Sequence, residues 1–231
     1  MRFNQRGFID FALRGDVVDF YEVSAPLELS SGRTSTCYIN WKRFTSDAWR
    51  TEKLAESVLG FALDHNLQPA CYYGVEEGNS KLGLFTQLKW AKQCPDYGPG
   101  SHPLPMGRAV LKTRGPEEER RFLGRPYGGV VLLEDAVTTA GSLIQRILEF
   151  NEDPDIEVIA AIALTDRMHR REDGKSAKEA VEATGVPFFS MSTAFQLIPP
   201  AYKKIQPGED IGRALEAEYR QYGVSTLKLV T

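Results

Sequence analysis

At 231 residues, 42% of them apolar and 26% charged, the chain has enough apolar content for a core without disulfide staples and fits one domain or a domain with an appendage. A formal net charge of −3 and a pI near 5.7 exclude the basic character of a nucleic-acid or anionic-membrane binder. Cys37, Cys71 and Cys94 lack metal-type spacing, as do His65, His102 and His169, and no run approaches the ~18 apolar residues of a membrane span, so free thiols and a cytoplasmic location are expected.

In chain order, Phe3, Phe8, Phe11 and Ala12 fall at helical spacing, with Gly15 as the stop. Residues 16–40 read as extended segments around a Ser-Ser-Gly-Arg turn. An amphipathic helix opens at Ser46 or Asp47, with Trp49, Leu54, Val58, Leu59, Ala62 and Leu63 on its apolar face. "ACYYGV" is a short apolar strand, "EEGNSKLG" a loop and "LFTQLKWAKQ" a helix. "CPDYGPGSHPLPMG" must be a loop, and the charged stretch after it holds few core residues. Two such segments in succession are unusual inside a compact domain and point to a functional loop. Order resumes with an apolar strand at 129–133, a helix at 141–150 and a strand at 156–164. A helix opened by the Ser176/Glu179 capping box and closed by Gly185 follows, then a strand over "VPFFSM" and a helix over "EDIGRALEAEYRQYG". This alternation predicts an α/β fold with a mostly parallel central sheet flanked by helices.

The stretch "VVLLEDAVTTAGS", residues 130–142, carries the chemistry. Ligands of open parallel sheets bind beyond the carboxyl ends of the strands, where this small-residue loop must lie. Thr138, Thr139, Gly141 and Ser142 offer hydroxyls and amides to a phosphate at a helix N-terminus, while Glu134 and Asp135 repel phosphate but accept hydrogen bonds from sugar hydroxyls. Together they suit a ribose 5-phosphate; a solvated acidic turn before a Thr/Ser-capped helix is the plain alternative. Neither a P-loop nor GxGxxG is present.

These thirteen residues resemble the phosphoribosyl pyrophosphate (PRPP) motif of type I phosphoribosyltransferases. Further stretches, in the same order and spanning most of the chain, resemble orotate phosphoribosyltransferase. "LELSSGRTSTCYIN" is similar to the family's N-terminal turn, which helps enclose the base; Arg33 and Tyr38 are the candidates there, and Ser30 stands where many members have Lys. "YGVEEGNSKLG" resembles the pyrophosphate loop, with Gly78 allowing close approach and Lys81 adding charge, although the neighbouring Glu76 and Glu77 must point away or meet Mg²⁺. "RAVLKTRGPEEERRFLG" sits where the family has its mobile catalytic loop: Arg108, Lys112 and Gly115 match, Ala109 replaces a Lys, and Arg114 replaces a His. "ALTDRMHRREDG" supplies Arg167, matching an Arg that meets the carboxylate of orotate.

The resemblance implies a type I phosphoribosyltransferase-like fold, with an N-terminal hood over residues 1–45 and a core over 46–231 whose mobile loop covers about 94–128. It implies transfer of the phosphoribosyl group of PRPP to orotate, giving orotidine 5′-monophosphate and pyrophosphate in pyrimidine biosynthesis. Lys112, Arg108, Asp135 and Arg114 would be catalytic; Glu134, Asp135, Thr138, Thr139, Ala140, Gly141, Ser142, Lys81 and Gly78 would bind PRPP; Arg167, Tyr38, Thr138 and Arg33 would bind orotate. The implied cofactor is Mg²⁺, carried mainly by PRPP, with Asp135 reaching it through water and no direct protein ligand. A homodimer is implied, the loop of one subunit closing over its neighbour's site. Two alternatives stay open: the same fold acting on another base, and a PRPP-binding regulator without catalysis, which the Ala109 and Arg114 departures allow.

Overall fold

The computed structural model describes residues 2–230. Asn4 caps α1 (Gln5–Arg14) by accepting from Gly7 N, and the helix ends at Gly15 as its sequence implies. Four short strands follow: β1 (Val18–Phe20) pairs antiparallel with β4 (Cys37–Ile39), and β2 (Leu27–Glu28) pairs antiparallel with β3 (Thr34–Ser35) across the Ser-Ser-Gly-Arg turn. One-turn helix α2 (Trp41–Phe44) buries Trp41 and Phe44 and leads into α3 (Ala48–Asp64), capped by Asp47. The apolar face of α3 is Leu54, Ala55, Val58, Phe61 and Ala62. Trp49 and Leu63, assigned to that face from their spacing, are about 60% exposed and sit on the first and last turns of the helix.

The central sheet has strand order β5 (Cys71–Gly74), β6 (Gly128–Val137), β7 (Ile156–Asp166), β8 (Phe188–Thr193), all parallel. Between β5 and β6 lie α4 (Ser80–Ala91), which begins four residues before the predicted helix, and the short α5 (Glu117–Arg121); α6 (Gly141–Asn151) and α7 (Ala177–Glu182) form the next two crossovers. One face of the sheet packs on α1, α3, α4, α8 (Ala194–Ile205) and α9 (Glu209–Tyr222), through residues such as Leu54, Leu82, Leu133, Leu197 and Leu215. The other face packs on α6 and α7 through Leu143, Ile147, Phe150 and Val181. With both faces covered, the middles of β6 (Val130–Leu133) and β7 (Val158–Leu164) are apolar runs, as parallel sheets favour.

Two further features differ from the sequence expectation. β6 does not stop before the acid pair: Ala136 and Val137 still pair with Thr165 and Asp166 of β7. Helix α8 runs through Pro199 and Pro200, whose missing amides argue against a helix; burial of Ala194, Leu197, Ile198 and Ala201 overrides that local penalty.

Candidate active site

A cavity of about 280 Å³ opens beyond the carboxyl ends of β5 and β6, lined by Ser30, Lys42, the 76–78 loop and residues 134–142. Larger grooves lie elsewhere on the surface, one of about 820 Å³ around Phe189 and one of about 650 Å³ around Trp90, but neither contains the phosphate-loop residues.

Successive strand residues face opposite sides of a sheet, so the two acids of β6 cannot do the same work. Glu134 is buried; its Oε1 accepts from Asn79 Nδ2 at 2.8 Å and from Asp135 N at 3.1 Å, and Oε2 accepts from Ser142 Oγ at 3.4 Å. Burial, reinforced by the Asp135 charge, holds this carboxyl well above the usual carboxylate range. Asp135 is half-buried: Oδ1 accepts from Ala136 N at 2.7 Å, while a Cβ built on Gly78 would lie 2.9 Å from Oδ2, so the second oxygen sits over the 76–78 loop. Asp135 is the acid presented to the cavity, and Glu134 is a buried brace between the two loops.

The loop from Thr138 to Ala140 hands the chain to α6. Ala140 takes the left-handed conformation (φ 59°, ψ 21°), which costs a non-glycine residue about 1 kcal/mol, and no side chain caps the helix. The first amides of α6 are thus left for a ligand, beside the hydroxyls of Thr138, Thr139 and Ser142 in the cavity wall.

Opposite this cradle, the Glu76–Glu77 peptide is cis. Glu76 points away from the cavity centre, held by Arg146 Nη2 at 2.8 Å and by the Tyr73 hydroxyl. Glu77 is exposed at the rim. Lys81 does not line the cavity; it is exposed on the first turn of α4.

The loop cations also lie outside the cavity of their own chain. Residues 106–124 form an arm closed by Met106 N to Gly124 O at 3.1 Å, Leu123 N to Met106 O at 2.7 Å and Lys112 N to Arg120 O at 3.0 Å. Arg108 is folded back, donating from Nε to Glu119 O at 3.0 Å, whereas Lys112 and Arg114 are exposed. At the arm's root any Cβ on Gly107 would collide with Glu76 and Tyr73, so the arm packs directly against the 76–78 loop.

The base-side candidates divide. Tyr38 is half-buried; burial raises its hydroxyl pKa, with Lys42 lowering it and Asp135 raising it further. Arg33 turns towards the C-terminal helix and stacks 4.3 Å over the Tyr222 ring. Arg167 is only 2% exposed: Nη2 meets Glu218 Oε1 at 3.0 Å and Ser35 Oγ at 3.1 Å, Nη1 donates to Cys37 O at 3.1 Å, and Nε has no partner among the described residues. Burial raises the Glu218 carboxyl while the Arg167 charge opposes it. The guanidinium assigned to an acceptor's carboxylate thus already holds a carboxylate of α9.

Sequence reasoning missed Lys42, Asn79 and Glu218. Lys42 sits in an unremarkable Trp-Lys-Arg-Phe turn, Asn79 is 55 residues from the acid it serves, and Glu218 is 51 residues from Arg167. The histidine spacing also concealed a cluster outside the cavity, where ligand atoms of Cys94, Asp96 and His102 lie within 4.8 Å of one another.

No family model matches the chain. A curated orotate phosphoribosyltransferase of Pseudomonas fluorescens is 28% identical over 232 residues, spanning 97% of this chain and 100% of that protein. One of Haemophilus influenzae is 30% identical over 184 residues, spanning 77% of this chain and 78% of that protein. Among solved structures, orotate phosphoribosyltransferase of Francisella tularensis superposes with a TM-score of 0.64 at 18% identity, covering 94% of this chain and 99% of that one. Leishmania donovani UMP synthase superposes with a TM-score of 0.68 at 17% identity, covering 93% of this chain but 42% of that one. The structural likenesses establish the type I phosphoribosyltransferase fold, and with the near full-length sequence relatives the conclusion is that this chain belongs to the orotate phosphoribosyltransferase family.

Proposed function

We propose that the chain transfers the phosphoribosyl group of PRPP to N1 of orotate, giving orotidine 5′-monophosphate and pyrophosphate in pyrimidine biosynthesis. The observation that carries this reading is the cavity wall: a phosphate cradle at the N-terminus of α6, the Asp135 carboxylate and the 76–78 loop face a single space. The 5′-phosphate sits on the α6 amides and the hydroxyls of Thr138, Thr139 and Ser142. Asp135 accepts from the ribose hydroxyls, and Gly78 lets the pyrophosphate approach the backbone.

In the reaction the N1–C1′ bond forms as the C1′–O bond breaks; the electron pair leaves with pyrophosphate, and the N1 proton passes to pyrophosphate or solvent. Little covalent help is required, and the protein's part is alignment and charge stabilisation. The donors Asp135 and Glu77 are hard carboxylate oxygens that suit Mg²⁺, directly or through water. When bound with PRPP, the ion would neutralise charge on the pyrophosphate. Tyr38 bounds the base side. Arg108, Lys112 and Arg114, which lie outside their own cavity, reach the neighbouring site in a homodimer and exclude water there. The same reading places the protein in the cytoplasm, with residues 1–45 as the hood.

One observation favours a second reading. Arg167 is already paired with Glu218, so the carboxylate of orotate must share or displace that partner, whereas an uncharged base makes no such demand. An acceptor panel separates the two: the enzyme is incubated with PRPP and orotate, uracil or adenine, and nucleotide products are resolved by chromatography. Orotidine 5′-monophosphate alone is expected; formation of another nucleotide, with orotate untouched, sinks the orotate assignment.

A further inference from the structure

The cavity poses an electrostatic problem that the assigned residues do not solve. Its ionisable lining residues are Glu76, Glu77, Glu134, Asp135 and Lys42, four carboxyls and one amine, although the ligand proposed for it is a polyanion. Glu76 is neutralised by Arg146, and Glu134 is buried among three donors. Glu77 and Asp135 remain, facing Lys42.

The direction of Lys42 follows from the core. Trp41 and Phe44 are buried, and Trp41 Nε1 donates to Thr165 Oγ1 at 2.9 Å, which fixes the single turn of α2 against the sheet. The other two residues of the turn must face outwards. Arg43 is committed to Asp19, with Nη1 to Oδ1 at 2.7 Å. Lys42 has no ion pair among the described residues and extends over the 76–78 loop. A Cβ on Gly78 would lie 2.8 Å from Lys42 Cε and 2.9 Å from Asp135 Oδ2. The space that a side chain at position 78 would fill is therefore where the lysine stem and the Asp135 carboxylate converge.

We infer that Lys42 is the subunit's own cationic contact for the diphosphate of PRPP, laid across Gly78 so that its ammonium receives the pyrophosphate as the C1′–O bond breaks. The inference rests on the PRPP reading of the cavity. The bond's electron pair goes to the departing oxygen, and the Lys42 ammonium stabilises that charge through a charge-assisted hydrogen bond. The contact lies at the pyrophosphate end, apart from the α6 cradle, so loss of Lys42 affects one end of the ligand and spares the other.

The test is calorimetric binding of Mg²⁺-pyrophosphate and, separately, ribose 5-phosphate to the full-length wild type, Lys42→Met, Lys42→Arg, Gly78→Ala and the double variant Lys42→Met/Gly78→Ala. Lys42→Met keeps the aliphatic stem and removes the charge; pyrophosphate binding is expected to weaken about 10- to 100-fold, with ribose 5-phosphate unchanged and Lys42→Arg recovering part of the loss. Gly78→Ala, by displacing the lysine stem, is expected to weaken pyrophosphate binding too, and the double variant to be no worse than Lys42→Met. Wild-type pyrophosphate affinity in Lys42→Met, equal loss of both ligands, or full additivity in the double variant overturns the inference while leaving the PRPP reading intact. Failure of the wild type to bind either ligand overturns the PRPP reading itself.

Discussion

Replacing Glu218 by Ala is the perturbation that most directly probes how the base side is held. Arg167 directly follows β7, and its guanidinium, 2% exposed, is matched by Glu218 at 3.0 Å. Glu218 also accepts from Ser35 Oγ at 2.7 Å, so one carboxylate ties α9 to β7 and to the β3 hairpin. Ala at this position strands a guanidinium out of reach of water and removes the acceptor of Ser35. Breaking one side of a buried pair typically costs about 3–5 kcal/mol. In a chain of this length each kcal/mol moves the midpoint by roughly 2–4 °C, so a fall of about 6–20 °C is expected in thermal unfolding. Urea unfolding of Glu218→Ala, Arg167→Met and the double variant completes the cycle. The double variant should cost clearly less than the sum of the singles, because the stranded charge is gone. A Glu218→Ala cost below about 1 kcal/mol, or simple additivity, would refute the description of this pair as mutually dependent.

Burial pushes the Asp166 carboxyl up to about 6 from 3.8. Its folded pKa exceeds the unfolded one, so its stabilising contribution is complete below the unfolded value and is lost as pH rises through about 6. Relative to Asp166→Asn, wild type should lose on the order of 3 kcal/mol between pH 4 and 8 in urea unfolding, and parallel profiles would exclude this. His169 works in the opposite sense: burial, then the Arg167 and Arg33 charges, lower it to about 3, so its contribution is present above pH 6.5 and lost as pH falls. His169→Phe should therefore lose less stability than wild type between pH 7 and 5; an equal acid-induced loss contradicts the assignment. Asn79→Ala leaves the buried Glu134 without its 2.8 Å donor and should cost about 1–3 kcal/mol while raising the KM for PRPP more than it changes the KM for orotate, whereas equal shifts in both would place the brace elsewhere. Finally, if the arm serves a neighbouring subunit, mixing the Lys112→Ala and Asp135→Asn variants, each inactive alone, should restore turnover, and no recovery on mixing rules that arrangement out.

What the sequence made legible is local. The run 130–142 carries its meaning in consecutive residues, and the helix caps at Asp47 and Ser176 are encoded within three positions of the groups they serve. The division of labour between Glu134 and Asp135 follows from strand alternation, but which acid faces the cavity depends on Asn79 from another loop. Arg167 was legible as a special residue but its partner was not, since nothing local links it to Glu218 on α9. Lys42 is the clearest case: its function depends on the absence of a side chain at Gly78, which only the folded chain brings beside it. Helix α8 was hidden for the opposite reason, since its two prolines speak against a helix and only the packing of its apolar face outweighs them.

The measurement that tests the central claim most directly is the initial rate of orotate loss by ultraviolet absorbance with PRPP, with and without Mg²⁺, together with the pyrophosphate released. Mg²⁺-dependent consumption of orotate with one pyrophosphate formed per nucleotide is the expected result. Binding of PRPP without turnover of orotate under any condition would contradict the account and leave a cavity that holds the donor but no longer performs the transfer.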